Sequence, residues 1–150
     1  MTDTPTPAQA TEFVHASVPA IGRLGIEVLA MSPGYVRLRL PLAPNSNHIG
    51  TMYAGALVAL AELPGGLLPL AVPDLGVVPI VTDLHVSFVR AARTDATLEA
   101  RLAPDEVRRL AARAHAEGKA EFVLDTVAVD ADGRTLMTSH ATYQLRPVRA

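Results

Sequence analysis

The chain has 150 residues, of which 49% are hydrophobic and 19% charged, a composition typical of a globular protein rather than a disordered one. Its 13 Lys and Arg against 15 Asp and Glu give a net charge of −2, which argues against binding to a nucleic-acid backbone. Cysteine is absent, which excludes disulfide scaffolds, thiolate metal sites and cysteine nucleophiles. We expect one domain over residues 1–150, with residues 1–6 as a flexible tail.

The first ten residues are polar and carry no Lys or Arg, so they lack the pattern of a secretory signal and predict a cytoplasmic protein. Residues 54–73 are apolar apart from Glu62 and would attract attention in a hydropathy plot. Pro64 and Pro69 would break a membrane-spanning helix, and Glu62 would lie near its middle. We therefore interpret this stretch as a helix buried in a soluble fold, with no membrane partner.

The N-terminal half predicts a helix, a hairpin and the start of the buried helix. Residues 6–9, Thr-Pro-Ala-Gln, have the pattern of a capping box that begins a helix, and Pro19 and Gly22 are expected to end it. Residues 24–31 and 35–40 predict two strands joined by a Ser-Pro-Gly turn. After a loop rich in Pro, Asn and Ser, residues 53–63 are apolar on every side, which is typical of a helix surrounded by protein.

The C-terminal half predicts mostly strands. Residues 77–89 are rich in β-branched side chains and predict one long strand. Strict alternation along it would place five residues on one face: Ile80, Thr82, Leu84, Val86 and Phe88. Further strands are expected over residues 97–103, 119–129 and 134–145, with a helix over 104–116 that Gly118 can end. Strands joined by tight turns are antiparallel, so the pattern predicts an α+β domain in which an antiparallel sheet wraps a central buried helix, as in the hotdog fold.

Two residues of the buried helix have the character of a catalytic pair. Glu62 is the only charge between Met52 and Pro73, so it is either solvated at the sheet edge or held in a partly apolar cleft as a general base. Gly55 lies where the helix begins, and a free N–H there is suited to stabilise an oxyanion. The two are seven residues apart, about two turns or roughly 10 Å of rise, and can share one face of the helix.

Residues 47–55 followed by Glu62 resemble the signature of PaaI-like hotdog thioesterases. In that family an Asn and a Gly precede His-Gly-Gly at the helix start, and an acidic residue follows seven places after the last Gly. Asn47, Gly50 and Gly55 match this pattern, and Glu62 falls on the acidic position. Tyr53 stands in place of the His, Ala54 replaces the first Gly, and residues 81–90 resemble the next strand of the family.

The resemblance implies an acyl-CoA thioesterase that needs no cofactor and works as a homodimer or homotetramer, with sites across the subunit interface. Glu62 would act as general base or nucleophile, and the N–H of Gly55 would polarise the thioester carbonyl. Asn47 would orient water or the carbonyl, and Tyr53 would assist through its hydroxyl or shape the pocket.

The expected substrate-binding residues are His48, Gly50, Thr82 and Arg90. Thr82 would come from the strand of the partner subunit. Arg90 could meet coenzyme A phosphates, although a solvated surface residue is the simpler interpretation, as it is for His48. The histidines of the chain show no ligand spacing, so no metal site is expected.

Two other functions remain open on the sequence alone. A hotdog enoyl-thioester hydratase or dehydratase would pair His48 with Glu62, which lie 14 residues apart, although the Pro-Gly step that opens the helix in that family is missing. A non-catalytic acyl-CoA binding module is the other alternative, because Tyr53 and Ala54 depart from the thioesterase pattern.

Overall fold

A computed structural model of the chain describes residues 4–149, so half of the predicted flexible tail lies outside the described residues. The described part of the tail makes contacts. The hydroxyl of Thr4 donates to the carbonyl of Ala71 at 3.1 Å, and Thr6 forms the predicted capping box with Gln9.

The helices and strands follow the predicted order. The helices are α1 Pro7–Ser17, α2 Pro19–Leu24, α3 Ala54–Glu62, α4 Pro64–Leu70 and α5 Pro104–Glu117. The strands are β1 Glu27–Ser32, β2 Tyr35–Leu40, β3 Val77–Phe88, β4 Ala96–Arg101, β5 Ala120–Val129 and β6 Thr135–Pro147. The six strands form one antiparallel sheet in the order β1-β2-β4-β5-β6-β3.

The central helix α3 packs on β2, β3 and β6, which confirms the predicted α+β architecture. Its buried side chains are all small or aliphatic, and they face the core: Ala56, Leu57, Leu60 and Ala61. Burial of these apolar groups supplies the main force that holds the helix on the sheet. Leu63 keeps right-handed helical dihedral angles, so α3 runs directly into α4.

The predicted end of the first helix at Pro19 is confirmed, because α1 ends at Ser17, but Gly22 does not end it and lies inside a second helix, α2, that was not predicted. Pro19 begins the short helix α2, because proline is favoured at the first helical position, where no N–H bond is lost. Gly25 ends α2 in the left-handed conformation, with φ 71°. The first strand consequently begins at Glu27 rather than at residue 24.

The predicted alternation along the long strand was also wrong for its first half. The register between β3 and β6 shifts between Val81 and Asp83, which leaves Thr82 as the extra residue of a β-bulge. The bulge moves the next residue to the opposite face. Val81 therefore pairs with core-facing Tyr143, and Ile80 lies on the outer face, whereas Leu84 pairs with core-facing Ala141.

No helix within residues 4–149 is long and apolar enough to cross a membrane.

The strand β3 lies at one edge of the sheet and pairs only with β6 in the described chain. It has 12 residues and exposes Val78, Ile80 and Phe88. A long edge strand with apolar side chains needs protection from non-specific pairing.

We expect a second copy of the chain to cover this edge through a two-fold axis, the commonest symmetry of homo-oligomers. Light scattering at micromolar concentration should return at least twice the 15.8 kDa of one chain. A stable monomer would contradict this assembly and any site shared between subunits.

Candidate active site

The loop before α3 is organised by the side chain of Asn47. Its Oδ1 accepts from the backbone N–H groups of Ile49 and Thr51, both at 3.1 Å, and its Nδ2 donates to the Thr51 hydroxyl at 2.9 Å. Gly50 turns the loop with φ 78°, a left-handed conformation that residues other than glycine rarely adopt. In the described chain the Asn47 amide is therefore engaged by its own loop.

A second asparagine, Asn45, joins this loop to the rest of the fold. It is buried in the 3₁₀ turn Ala43–Asn45, and its Nδ2 donates to the carbonyls of Leu24 at 2.7 Å and Pro41 at 2.8 Å. The backbone carbonyl of Asn45 accepts from the backbone N–H of Tyr53 at 2.7 Å. Asn45 thus fixes where α3 begins, a role with no signal in the sequence because asparagine is common in loops.

Tyr53 and Gly55 lie together at the start of α3. Tyr53 is 57% exposed, and its ring folds back over Gly55, where an added Cβ would lie 2.5 Å from the ring atom Cε1. No side chain caps the helix N-terminus. The first N–H groups of a helix have no intrahelical partner, and the helix dipole is positive there, so this end can bind a developing negative charge.

Glu62 is the last residue of α3 and is half-buried. Burial raises the pKa of its carboxyl above the ordinary value, because desolvation disfavours the charged form. Gly55, Val58, Ala59 and Glu62 are the half-buried residues of α3, and their spacing places them on one face. This face therefore carries an uncapped helix start at one end and a carboxylate of raised pKa at the other.

Tyr143 of β6 holds the end of that helix in place. It is 1% exposed, its hydroxyl donates to the backbone carbonyl of Glu62 at 2.8 Å, and its ring stacks on Phe122 at 5.2 Å. Burial, and then the nearby charge of Glu62, raise the pKa of Tyr143, so its hydroxyl stays a neutral donor. Sequence analysis missed Tyr143, although a tyrosine on a core-facing position signals a buried hydrogen-bond partner.

The other predicted site residues are dispersed. Arg90 follows β3 and, with Ala54 and Leu57, lines a groove of about 230 Å³ beside the start of α3. His48 is exposed in the loop turn, and the hydroxyl of Thr82 donates to the carbonyl of Thr142 at 3.3 Å. In residues 4–149, no three His, Asp or Glu side chains are grouped to hold a metal ion.

Residues 7–145 match the family model described as a domain of unknown function, DUF4442. The chain belongs to this family. A Pseudomonas aeruginosa protein of unknown function, PA5026, described as a probable thioesterase, is 42% identical. That similarity covers 97% of this chain and 99% of the other, with a TM-score of 0.87.

Two more distant structures share the fold. The thioesterase HI1161 of Haemophilus influenzae is 19% identical, with a TM-score of 0.76 over 99% of this chain and 95% of the other. A mutant of thioesterase PA1618 of Pseudomonas aeruginosa is 20% identical, with a TM-score of 0.72 over 97% and 96%. The fold is that of hotdog thioesterases, as predicted. No curated protein matches the chain.

The contact between Tyr143 and α4 predicts that alanine substitutions at two adjacent glycines have different effects on the free energy of unfolding. A Cβ at Gly65 would overlap the Tyr143 ring, whereas a Cβ at Gly66 meets nothing within 4 Å. Gly65→Ala should lower the free energy of unfolding by about 1–3 kcal/mol, the usual cost of overpacking. Gly66→Ala should leave it unchanged or raise it by up to ~1 kcal/mol, because alanine favours helix. Urea unfolding of both variants measures this, and equal effects would contradict the described contact.

Glu62 should make stability depend on pH. Because its pKa is higher in the folded than in the unfolded protein, the folded state binds the proton more tightly. This contribution to stability is fully present below the unfolded pKa and is lost as pH rises through the folded pKa. Glu62→Gln should remove that loss, so the variant should gain stability relative to wild type between acidic and neutral pH. Urea unfolding at a series of pH values checks this, and parallel curves would contradict it.

Proposed function

We propose that the protein is an acyl-CoA thioesterase in which Glu62 is the catalytic carboxylate and the N–H of Gly55 stabilises the oxyanion. The observation that carries this proposal is the open face of α3, which bears a half-buried carboxylate of raised pKa and an uncapped helix start. A carboxyl with a raised pKa is a better proton acceptor near neutral pH. The 42% identical relative described as a probable thioesterase supports the same chemistry.

Two routes fit the residues. In the first, the Glu62 carboxylate takes a proton from water, the hydroxide attacks the thioester carbonyl carbon, and the intermediate expels coenzyme A thiolate, which is then protonated. In the second, the carboxylate itself attacks, expels the thiolate and forms an anhydride that water hydrolyses. In both, negative charge develops on the carbonyl oxygen, where a helix N–H donor stabilises it.

The length of α3 argues for a site made by two copies. Gly55 and Glu62 are about 10 Å apart along the helix axis, at 1.5 Å per residue. Both groups must come within roughly 3 Å of the reacting atoms or of one bridging water. We propose that Glu62 of one copy faces the helix start of another, in agreement with the uncovered edge of β3.

The remaining candidates support the start of α3 in this proposal. Asn47 and Gly50 shape the loop that precedes the helix, and Tyr53 covers Gly55 with its ring. Arg90 lines the same groove as Ala54, and in this proposal it would contact a coenzyme A phosphate. Arg93, three residues further along, is also exposed and would join it.

His48 and Thr82 have weaker support. His48 is exposed at the loop turn, so it can contact coenzyme A but does not touch Glu62 of its own chain across the roughly 13 Å of α3. Thr82 lies in the bulge of the edge strand β3, where association of two subunits would bring it close to the site of the other subunit.

Glu62→Gln should reduce the rate of acyl-CoA hydrolysis by about 10²–10⁴-fold, the usual effect of losing a general base, while the fold persists. His48→Gln is the matched control, which should have a small effect. The wild-type rate should rise with pH through the raised pKa of Glu62, because only the ionised carboxylate is active. Thiol release from a panel of acyl-CoAs measures these effects.

A folded Glu62→Gln variant that hydrolyses within threefold of wild type would refute the mechanism. Severe and equal losses from both substitutions, together with hydration of an enoyl thioester, would indicate the His48 and Glu62 hydratase or dehydratase instead. Binding of acyl-CoA without any turnover would indicate a binding module.

A further inference from the structure

A large apolar cavity lies between α1, α4 and the beginning of β3. Its volume is about 600 Å³, within the range of roughly 300–1,000 Å³ found for small-molecule sites. Side chains that would otherwise be expected in a core line it while remaining partly exposed: Phe13, Val18, Leu70 and Val78. Asp74 is the one charged residue in the described lining.

Gly66 of α4 lines this cavity without a packing reason to be glycine. A Cβ at this position would meet no atom within 4 Å, and its φ is not in the left-handed region. Glycine inside a helix costs about 1 kcal/mol relative to alanine. Gly65 differs, because the Tyr143 ring occupies the space beside it. The missing side chain of Gly66 therefore adds room to the cavity, and no neighbouring atom in the described chain requires a glycine there.

The cavity continues the open face of α3. Leu63 keeps helical dihedral angles between α3 and α4, so Glu62 and Gly66 lie one turn apart, about 6 Å along the helical axis. Leu70, one further turn along, also lines the cavity. A ligand whose reactive end lies at Glu62 can thus extend along Gly66 into apolar surroundings.

We propose that this cavity holds the aliphatic acyl chain of the thioester substrate and that Gly66 sets the chain length that fits. The inference rests on the proposed function. The walls supply aliphatic surface, and the polar groups in the lining are few. The hydroxyl of Thr4 already donates to Ala71, and Ser17 and Asp74 are exposed. A straight hydrocarbon chain suits such a lining better than a polar or substituted ring.

The test compares hydrolysis of straight-chain acyl-CoAs from butanoyl to tetradecanoyl by wild type and Gly66→Leu. For wild type, kcat/KM should rise about fourfold per added methylene until the cavity is filled, since each buried methylene adds a constant increment. Gly66→Leu should lower kcat/KM by roughly 15- to 60-fold on the best long chain, equivalent to two or three lost methylenes. Butanoyl-CoA should be hydrolysed within threefold of wild type.

Two controls accompany the variant. Ala112→Leu adds the same bulk at an exposed position of α5, away from the cavity, and should leave the chain-length profile unchanged. Binding of decanoate, followed by calorimetry, gives a readout that needs no hydrolysis. Wild type should bind it and Gly66→Leu should bind it at least tenfold more weakly.

The outcomes separate this inference from the proposed function. Hydrolysis with a flat chain-length profile, or one that Gly66→Leu leaves unchanged, overturns the acyl-chain cavity while thioesterase activity stands. Decanoate binding that Gly66→Leu weakens, in a protein that hydrolyses no acyl-CoA, supports the cavity and overturns the thioesterase. A change of oligomeric mass in Gly66→Leu with an unchanged profile means that a second copy covers the cavity, which also overturns the inference.

Discussion

The contact of Tyr143 with the junction of α3 and α4 is the constraint on which the candidate site depends. The ring fills the space that Gly65 leaves free, stacks on Phe122, and donates its hydroxyl to the carbonyl of Glu62. A stacked aromatic pair and a buried hydrogen bond each contribute on the order of 1 kcal/mol. Their larger effect is geometric, because together they tie the end of α3 to β6, the strand beside the edge strand β3.

This anchoring explains how one helix can serve both packing and chemistry. The buried side of α3 is made of small and aliphatic residues that lie against the sheet, so the helix cannot rotate without exposing them. Its half-buried side is consequently held toward solvent or a partner. Glu62 then occupies a fixed position at a site where ionisation is disfavoured, a cost that a functional residue can impose on a stable fold.

Most of the fold was predictable because local rules and tertiary packing agree. The capping box at Thr6, the apolar helix over residues 53–63 and the termination of α5 at Gly118 all follow from side chains within a few positions of one another. Two features were not predictable. One is the short helix α2, because a proline that ends one helix can also begin the next, and the burial of Ile21 in the core is a tertiary contact. The bulge at Thr82 arises from pairing with β6, about sixty residues further along the chain.

The residues of the candidate site also fall into those that could be predicted from the sequence and those that could not. Glu62 and Gly55 stand out because each violates the character of its surroundings, one as a lone charge and the other as a glycine at a helix start. Asn45 does not stand out, and Tyr143 signals only that its hydroxyl needs a buried partner, since the carbonyls that both residues contact are brought to them by the folded chain. For such residues the sequence does not indicate which group elsewhere in the chain they contact.

The bulge in β3 also bears on how copies of the chain associate. A regular edge strand of this length would present an uninterrupted ladder of donors and acceptors, which favours open-ended addition of strands and fibril growth. The extra residue at Thr82 interrupts that ladder and increases the local twist of the strand. If copies of the chain pair along this edge, as we expect, the bulge favours one register of strand addition, and association should close as a finite particle instead of growing into a filament.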